Sequence, residues 1–403
     1  MKSKTSKLIY CDTAATTPVD LVVQKEITKH MNLTYGNAGS IHQIGTSAKQ
    51  VLENSRKTVS DFLSARTKEI IFTSGGTEAN NLAILGVFNS LIKKGNKPID
   101  LHFITTNIEH SSVRETFLHL QKLGCAVDFI SVEKTGELDS LLLRKTIKPN
   151  TVLVSLAYAN SEIGTVQPVH ELAKEIRFAR KNNVFNKIES LRQFPYFHLD
   201  ASQATLWLPM SVEKLGVDLM TIDGQKIYGP KGIGALYIKT GLEIESIMFG
   251  GKQEKNLRPG TENVPLIAGF AKAVELIPNF QKKYIKNILK TRNYFCNKLK
   301  KFIPEIIING GLENRLPNNI NFSLTDSDAE YLLLQLAEKE IICSAKSACL
   351  SGEVGSYVVA AVSGTNAARS SLRFTFDKNI TKQKANHILK TLVKETIRGG
   401  LID

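Results

Sequence analysis

Four short stretches of this chain carry side chains that could do chemistry together. In Asp223–Gly234 (DGQKIYGPKGIG), Lys226 follows an apolar LMTI run and precedes a Gly-Pro-Lys-Gly turn. An amine flanked by glycines, where a bulky ligand can approach the backbone, suits condensation with an aldehyde. Taken alone, the same lysine could equally decorate a surface loop. In Ser74–Asn81 (SGGTEANN), Gly76 and Thr77 lie where an apolar run passes into a helical one. Free backbone N–H groups and a helix dipole meeting there would cradle a phosphate, or simply make a tight turn with an N-cap. In Phe197–Gln203 (FHLDASQ), Asp200 ends an apolar run. A buried carboxylate needs a cationic partner, and a pyridinium N–H would supply one. His110, in Ile108–Ser111 (IEHS), is placed to stack on an aromatic ligand and relay protons, or to serve as a structural imidazole.

These residues must be positioned by elements, and the pattern of elements is legible. Runs rich in β-branched and apolar residues at Glu69–Ser74, Leu101–Thr105, Val127–Val132, Thr151–Ala157, Phe197–Asp200, Leu219–Ile222 and Gly234–Ile238 read as strands. Most of the segments between them are long enough for crossover helices, which predicts an α/β chain with a mostly parallel sheet. Ligands gather at the carboxyl ends of such strands, where all four stretches fall. After Val264 the texture changes: a helix is expected over Leu266–Phe302, then mixed elements through Arg373, and a last helix near Lys382–Arg398. The domain reading is a segment 1–20 that packs with the small domain, a large domain 21–264 and a smaller α+β domain 265–403. Lys181–Tyr196 is polar and irregular, and reads as a surface insertion.

Composition narrows the class. The 403 residues, 42% hydrophobic and 22% charged, can bury a core, and disorder is not the default. No apolar run approaches the ~18 residues of a membrane span. No apolar stretch follows the lysines of Met1–Tyr10, so no signal peptide is read and a cytoplasmic protein is expected. The five cysteines (Cys11, Cys125, Cys296, Cys343, Cys349) are scattered and form no CxxC pair, which supports neither a disulfide framework nor a zinc ribbon. The net charge of +14 lies on lysines spread along what read as solvated helix faces, without the Arg/aromatic motif of an RNA-binding module. Direct nucleic-acid binding is therefore not the expectation, and no metal site is read.

The motifs taken in order resemble those of a known family. DTAATTPVD (Asp12–Asp20), YGNAGSIHQIG (Tyr35–Gly45), FTSGGTEANNLAI (Phe72–Ile84), IEHSSV (Ile108–Val113), NSEIGTVQP (Asn160–Pro168), HLDASQA (His198–Ala204), KIYGPKGIGALY (Lys226–Tyr237), RPGTENVP (Arg258–Pro265) and SACLS (Ser347–Ser351) look like the successive motifs of cysteine desulfurases. These are class V aminotransferase-like enzymes of pyridoxal-phosphate (PLP) fold type I, and the likeness spans nearly the whole chain. It implies a seven-stranded, mostly parallel sheet in a large domain. It also implies that Lys226 links the cofactor, Asp200 pairs with the pyridine nitrogen, Gln203 lies near the ring hydroxyl and His110 stacks on the ring. Gly76 and Thr77 match the phosphate turn, and Gln225 is implied to donate to the phosphate. Thr261 matches a threonine that reaches the site of a neighbouring subunit, which implies a homodimer. Arg373, assisted by Asn160, resembles the grip on the substrate carboxylate, a task suited to a planar guanidinium. Cys349, in KSACLSGEVGSYVV, resembles the persulfide-forming cysteine on the mobile loop of the longer-loop branch (iron–sulfur and nitrogen-fixation type), whereas Cys343, in an IICS run, reads as structural.

The implied activity is removal of sulfur from L-cysteine, giving L-alanine and a Cys349 persulfide destined for an iron–sulfur scaffold or a tRNA-thiolating enzyme. Alternatives are a selenocysteine lyase or another class V lyase or aminotransferase, and a partner-dependent sulfur-relay scaffold with low turnover. Three positions depart from the family pattern. Gln225 replaces a histidine, Ser161 an asparagine, and Asp223 stands where a phosphate-binding serine is common. Because a carboxylate would repel a phosphate dianion, Asp223 is expected to point away or to be neutralised by Lys231. The tail Thr396–Asp403 does not resemble the tail with which housekeeping members dock their iron–sulfur scaffold.

Overall fold

The computed structural model describes residues 8–182, 191, 193–324, 327–345 and 355–398. Its centre is a seven-stranded sheet built from β2 (Ile70–Thr73), β3 (His102–Thr106), β4 (Ala126–Ile130), β5 (Thr151–Ala157), β6 (Tyr196–Asp200), β7 (Leu219–Asp223) and β8 (Gly234–Ile238). Strand β1 (Ile9–Tyr10) lies outside this sheet. The order is β2-β8-β7-β6-β5-β3-β4. Every neighbour pair is parallel except those made by β8, which runs antiparallel to both β2 and β7. Strands β2, β3, β6, β7 and β8 are buried along their whole length, as a sheet covered by helices on both faces requires.

The connections follow the α/β pattern. After α1 (Leu21–Leu33) and α2 (Gln43–Leu63), helix α3 (Gly76–Lys93) leaves β2, α4 (Ser111–Lys122) leaves β3, α5 (Ser140–Thr146) leaves β4, and α6 (Val169–Asn182) follows β5. The long helix Val264–Phe302 packs on α1 and α2. Beyond it, β9 (Ile307–Ile308), β10 (Asn319–Ser323) and β12 (Ser371–Thr375) form a three-stranded antiparallel sheet. Strand β11 (Ile341–Ile342) pairs in parallel with β1, so the first described residues are stitched to a distant part of the chain. The two sheets and the long helix share one core, in which Phe295, Phe322, Phe374 and Phe376 stack and cross. Among the described residues no helix is long and apolar enough to cross a membrane.

The strand expectations hold with edges moved by one or two residues, and Thr151–Ala157 and Gly234–Ile238 match end to end. The supposed surface insertion is different. Residues 183–190 and 192 lie outside the described set, yet Leu191, Phe194 and Tyr196 are buried in the core against α3 and α4. A polar stretch here ends in apolar residues that feed β6, so its last part is core.

Candidate active site

Because β2 and β7 flank the reversed β8, all the strands from β2 to β7 end on one side of the sheet, and a cavity of about 240 Å³ opens there. Most of the walls are residues at the end of a strand or within four positions beyond one. Helix α3 presents Gly76 and Thr77 after β2, His110 caps α4 after β3, and Asn160 follows β5. Asp200 ends β6, Gln203 stands three residues on, and a single 3-10 turn after β7 carries Gln225 and Lys226. Arg373 enters from β12.

Lys226 donates from Nζ to the carbonyl oxygens of Ala14 (2.8 Å) and Ala15 (2.7 Å), in the DTAATT segment that runs over the site. Gln203 also donates to the Ala14 carbonyl, at 2.9 Å. Gly224 makes this turn possible. A methyl group on it would meet the carbonyl oxygen of Pro230 at 2.9 Å.

Asp200 is 8% exposed, and its carboxylate is fixed from both sides. One oxygen accepts from Asn80 Nδ2 at 2.8 Å, the other from the Ser202 amide (2.9 Å) and hydroxyl (2.6 Å). Beneath it, His198 lies between Ser155 and Thr221, and burial pushes its pKa down to about 4. His198 is thus neutral at pH 7, and the Asp200 charge is left for a cation in the cavity. His110 Nδ1 accepts from the Ser112 backbone N–H at 3.2 Å and lies 2.8 Å from the Ser112 hydroxyl, which places a ring proton on Nε2. Its neighbour Glu109 is fully buried, with one oxygen unpartnered, and desolvation raises it to about 8.

The substrate side is made by Arg373, 2% exposed, which donates from Nη2 to Asp12 (2.7 Å) and from Nη1 to the Ser161 carbonyl (3.1 Å), with Nε unpartnered. A buried guanidinium that lines the cavity is equipped for a carboxylate. Asn160 accepts the amides of Glu162 and Ile163 and donates to the Ile108 carbonyl, which folds its own turn and leaves one amide hydrogen for a ligand.

The cavity fits PLP on these observations. It offers an amine, a carboxylate facing in, an imidazole, and a glycine turn at a helix N-terminus where a methyl on Gly76 would strike Ser202 Oγ at 3.0 Å. The expectation for Asp223 fails, however. Its carboxylate is 5% exposed, lines the cavity, and would lie 3.2 Å from a methyl on Gly76; Lys231 is exposed and makes no ion pair with it. Asp223 is held by the Gln225 backbone amide and side-chain amide, each at 3.2 Å, so Gln225 donates to this carboxylate. The positive end of α3 attracts an anion, and charge repulsion alone misjudged the orientation.

Two expected residues are not brought in. Thr261 is exposed and does not line the cavity of its own chain. Cys349 lies outside the described residues. The four described cysteines have thiols raised by burial, Cys125 to about 11 and Cys11, Cys296 and Cys343 also upward, so none is a ready thiolate. Asn80 and the Ala14 and Ala15 carbonyls are functional groups that the sequence did not single out. The repeated asparagines of EANN were the only sign of the first, and a carbonyl leaves none.

Comparison with known proteins agrees with this geometry. The family model "Aminotransferase class-V" matches residues 9–385. "Cysteine desulfurase IscS" of Dictyoglomus turgidum is 39% identical, over 95% of this chain and 93% of that protein. The protein of the same name from Methanosarcina thermophila is 37% identical, over 97% and 92%. Among solved structures, a "NifS-like protein" superposes with a TM-score of 0.87 at 30% identity, covering 97% of this chain and all of that one. A NifS-like protein from Rickettsia africae gives 0.81 at 29%, covering 96% and 99%.

Proposed function

This chain belongs to the aminotransferase class-V family, and from that premise we propose that it is a PLP-dependent cysteine desulfurase, which removes sulfur from L-cysteine and releases L-alanine. The observation that carries the reading is the convergence of Lys226 Nζ and the Asp200 carboxylate on one cavity at the ends of neighbouring strands. When bound there, PLP supplies an electron sink for charge developing at the substrate α-carbon.

The residues divide the remaining work. Lys226 would hold the cofactor through its amine and would be the base that moves the substrate α-proton. Asp200, held by Asn80 and Ser202, keeps its negative charge toward the ring nitrogen. His110, which lines the cavity, would lie against the cofactor and offer Nε2–H for proton transfer. Gly76 and Thr77 would hold the phosphate at the N-terminus of α3 and Gln203 would hold the ring side, while Gln225 holds Asp223. Arg373 and Asn160 bind the substrate carboxylate. Cys349 then attacks the substrate sulfur: an S–S bond forms, the C–S bond breaks with its electron pair staying on carbon, and a persulfide remains on the enzyme.

An iron–sulfur scaffold or a tRNA-thiolating protein takes that sulfur in the cytoplasm. The active form is a homodimer in which Thr261 of one copy completes the phosphate site of the other, and exposed Leu33, Tyr35, Ile41 and Phe249 offer apolar surface for the contact. The chain divides into segments 1–20, 21–264 and 265–403, with the parallel pairing of β1 and β11 supporting the first of these boundaries. Alanine release from L-cysteine by the PLP-loaded protein, lost in Lys226→Ala, tests the reading; release retained by that variant would contradict it.

A further inference from the structure

Resting on the reading of this cavity as a PLP site, we propose that Ser356 and Tyr357 are positioning residues, through which one short helix holds the turn that carries His110 and the turn that carries Asn160 and Ser161. The helix spans Tyr357–Ser363 and begins in the GSYVV end of the stretch that contains Cys349. Tyr357 and Val358 line one crevice together with Glu109, His110, Ser161 and Glu162. Val358 and Val359 also share an apolar cluster with Ile108 and Ile163, one residue from each turn.

The two polar side chains have different targets. The Tyr357 hydroxyl donates to the carbonyl oxygen of Glu109. That oxygen belongs to the planar peptide unit leading into His110, so holding it fixes the direction in which the histidine leaves the backbone. Burial pushes the pKa of the phenol up, which keeps it a donor at neutral pH. Arg114 on α4 lies over the same ring at 5.2 Å, so ring and hydroxyl do separate work.

The Ser356 hydroxyl is buried. It donates to the Glu162 carboxyl group at 2.5 Å and accepts the Val359 amide at 3.1 Å, capping its own helix. The Glu162 amide in turn donates to Asn160 Oδ1 at 2.8 Å, and the adjacent Ser161 carbonyl accepts Arg373 Nη1 at 3.1 Å. Tyr357 therefore bears on the histidine, and Ser356 on the grip for the substrate carboxylate. Loss of the first should slow proton transfer and leave cysteine binding intact, lowering kcat alone. Loss of the second should weaken binding of ground state and transition state alike, raising KM alone.

Each turn also has its own backbone reporter. The Ser112 amide donates to His110 Nδ1, and the amides of Glu162 and Ile163 donate to Asn160 Oδ1. Hydrogen exchange at these three amides in the full-length protein is to be compared with alanine release from L-cysteine by the PLP-loaded protein. In Tyr357→Phe, which keeps the ring beneath Arg114, Ser112 should exchange about tenfold faster with Glu162 and Ile163 unchanged, and kcat should fall about tenfold at constant KM. In Ser356→Ala the pattern should invert: faster exchange at Glu162 and Ile163 only, and KM raised about tenfold at constant kcat. Ser356→Thr, which keeps the hydroxyl, should match wild type and so separates loss of the hydrogen bond from loss of the fold. Faster exchange at both turns in either variant, or kcat and KM that move together or not at all, would overturn the inference. A wild type that neither binds PLP nor releases alanine would instead overturn the cofactor reading, and exchange in the protein without PLP would still test the two hydrogen bonds.

Discussion

At the scale of single residues, burial sets protonation in this site. His198 is kept neutral under Asp200, while Glu109 is kept protonated beside His110. The two have opposite consequences for stability. For His198, whose folded value lies below its unfolded one, stability is complete above the unfolded value of 6.5 and is lost as pH falls toward 4. For Glu109, raised from 4.5 to about 8, stability is complete below 4.5 and is lost as pH rises through 8. Between pH 7 and 8 only the glutamate changes the balance. The holoenzyme should lose about 1 kcal/mol of unfolding free energy from this group over that unit. Glu109→Gln, which keeps the acceptor for Thr106, should show a loss smaller by that amount in urea titrations. A variant with the same pH slope as wild type would mean that the glutamate is ionised in the folded state.

At the scale of elements, the sequence disclosed what is local and hid what crosses the chain. Thr151–Ala157 and Gly234–Ile238 could be read to their ends because β-branched or apolar runs stop at polar or glycine-rich turns. The lysine, aspartate, histidine and glycine turn were legible because each lies at the end of a strand or a few residues beyond one. The carbonyls that take Lys226 were not, since the contact joins residues more than 200 positions apart and a backbone oxygen has no sequence signature. The buried Arg56–Glu254 pair was hidden for the same reason. Arg56 on α2 makes two hydrogen bonds to Glu254 (2.8 and 2.7 Å) and one to the Ile70 carbonyl (3.0 Å), and Glu254 also accepts the Phe72 amide (2.8 Å). The pair therefore ties α2 and β2 to the turn ahead of Arg258 and Thr261. Arg56→Ala would strand a carboxylate whose side chain is 1% exposed, and should cost about 3 kcal/mol of unfolding free energy. Arg56→Ala with Glu254→Ala should recover part of it. A loss under about 1 kcal/mol for the single variant would show that water reaches Glu254.

At the scale of the whole molecule, one chain supplies nearly a complete cavity, but Thr261 stands exposed outside it. If a partner copy receives that threonine, Lys226→Ala and Thr261→Ala subunits should complement each other. Mixed dimers would hold one intact site, with Lys226 from one chain and Thr261 from the other, and should bind about half an equivalent of PLP per chain at wild-type affinity. Recovery that never exceeds the sum of the parents would place Thr261 outside the site. The central claim is that this cavity transfers sulfur from cysteine to Cys349, since every described cysteine is held as a thiol. The most direct measurement is alanine and sulfide release from L-cysteine in the presence of a thiol reductant, by PLP-loaded wild type beside Lys226→Ala and Cys349→Ser. Turnover by wild type alone, with both variants inactive, is the predicted result. Sulfide release by Cys349→Ser at the wild-type rate would contradict it.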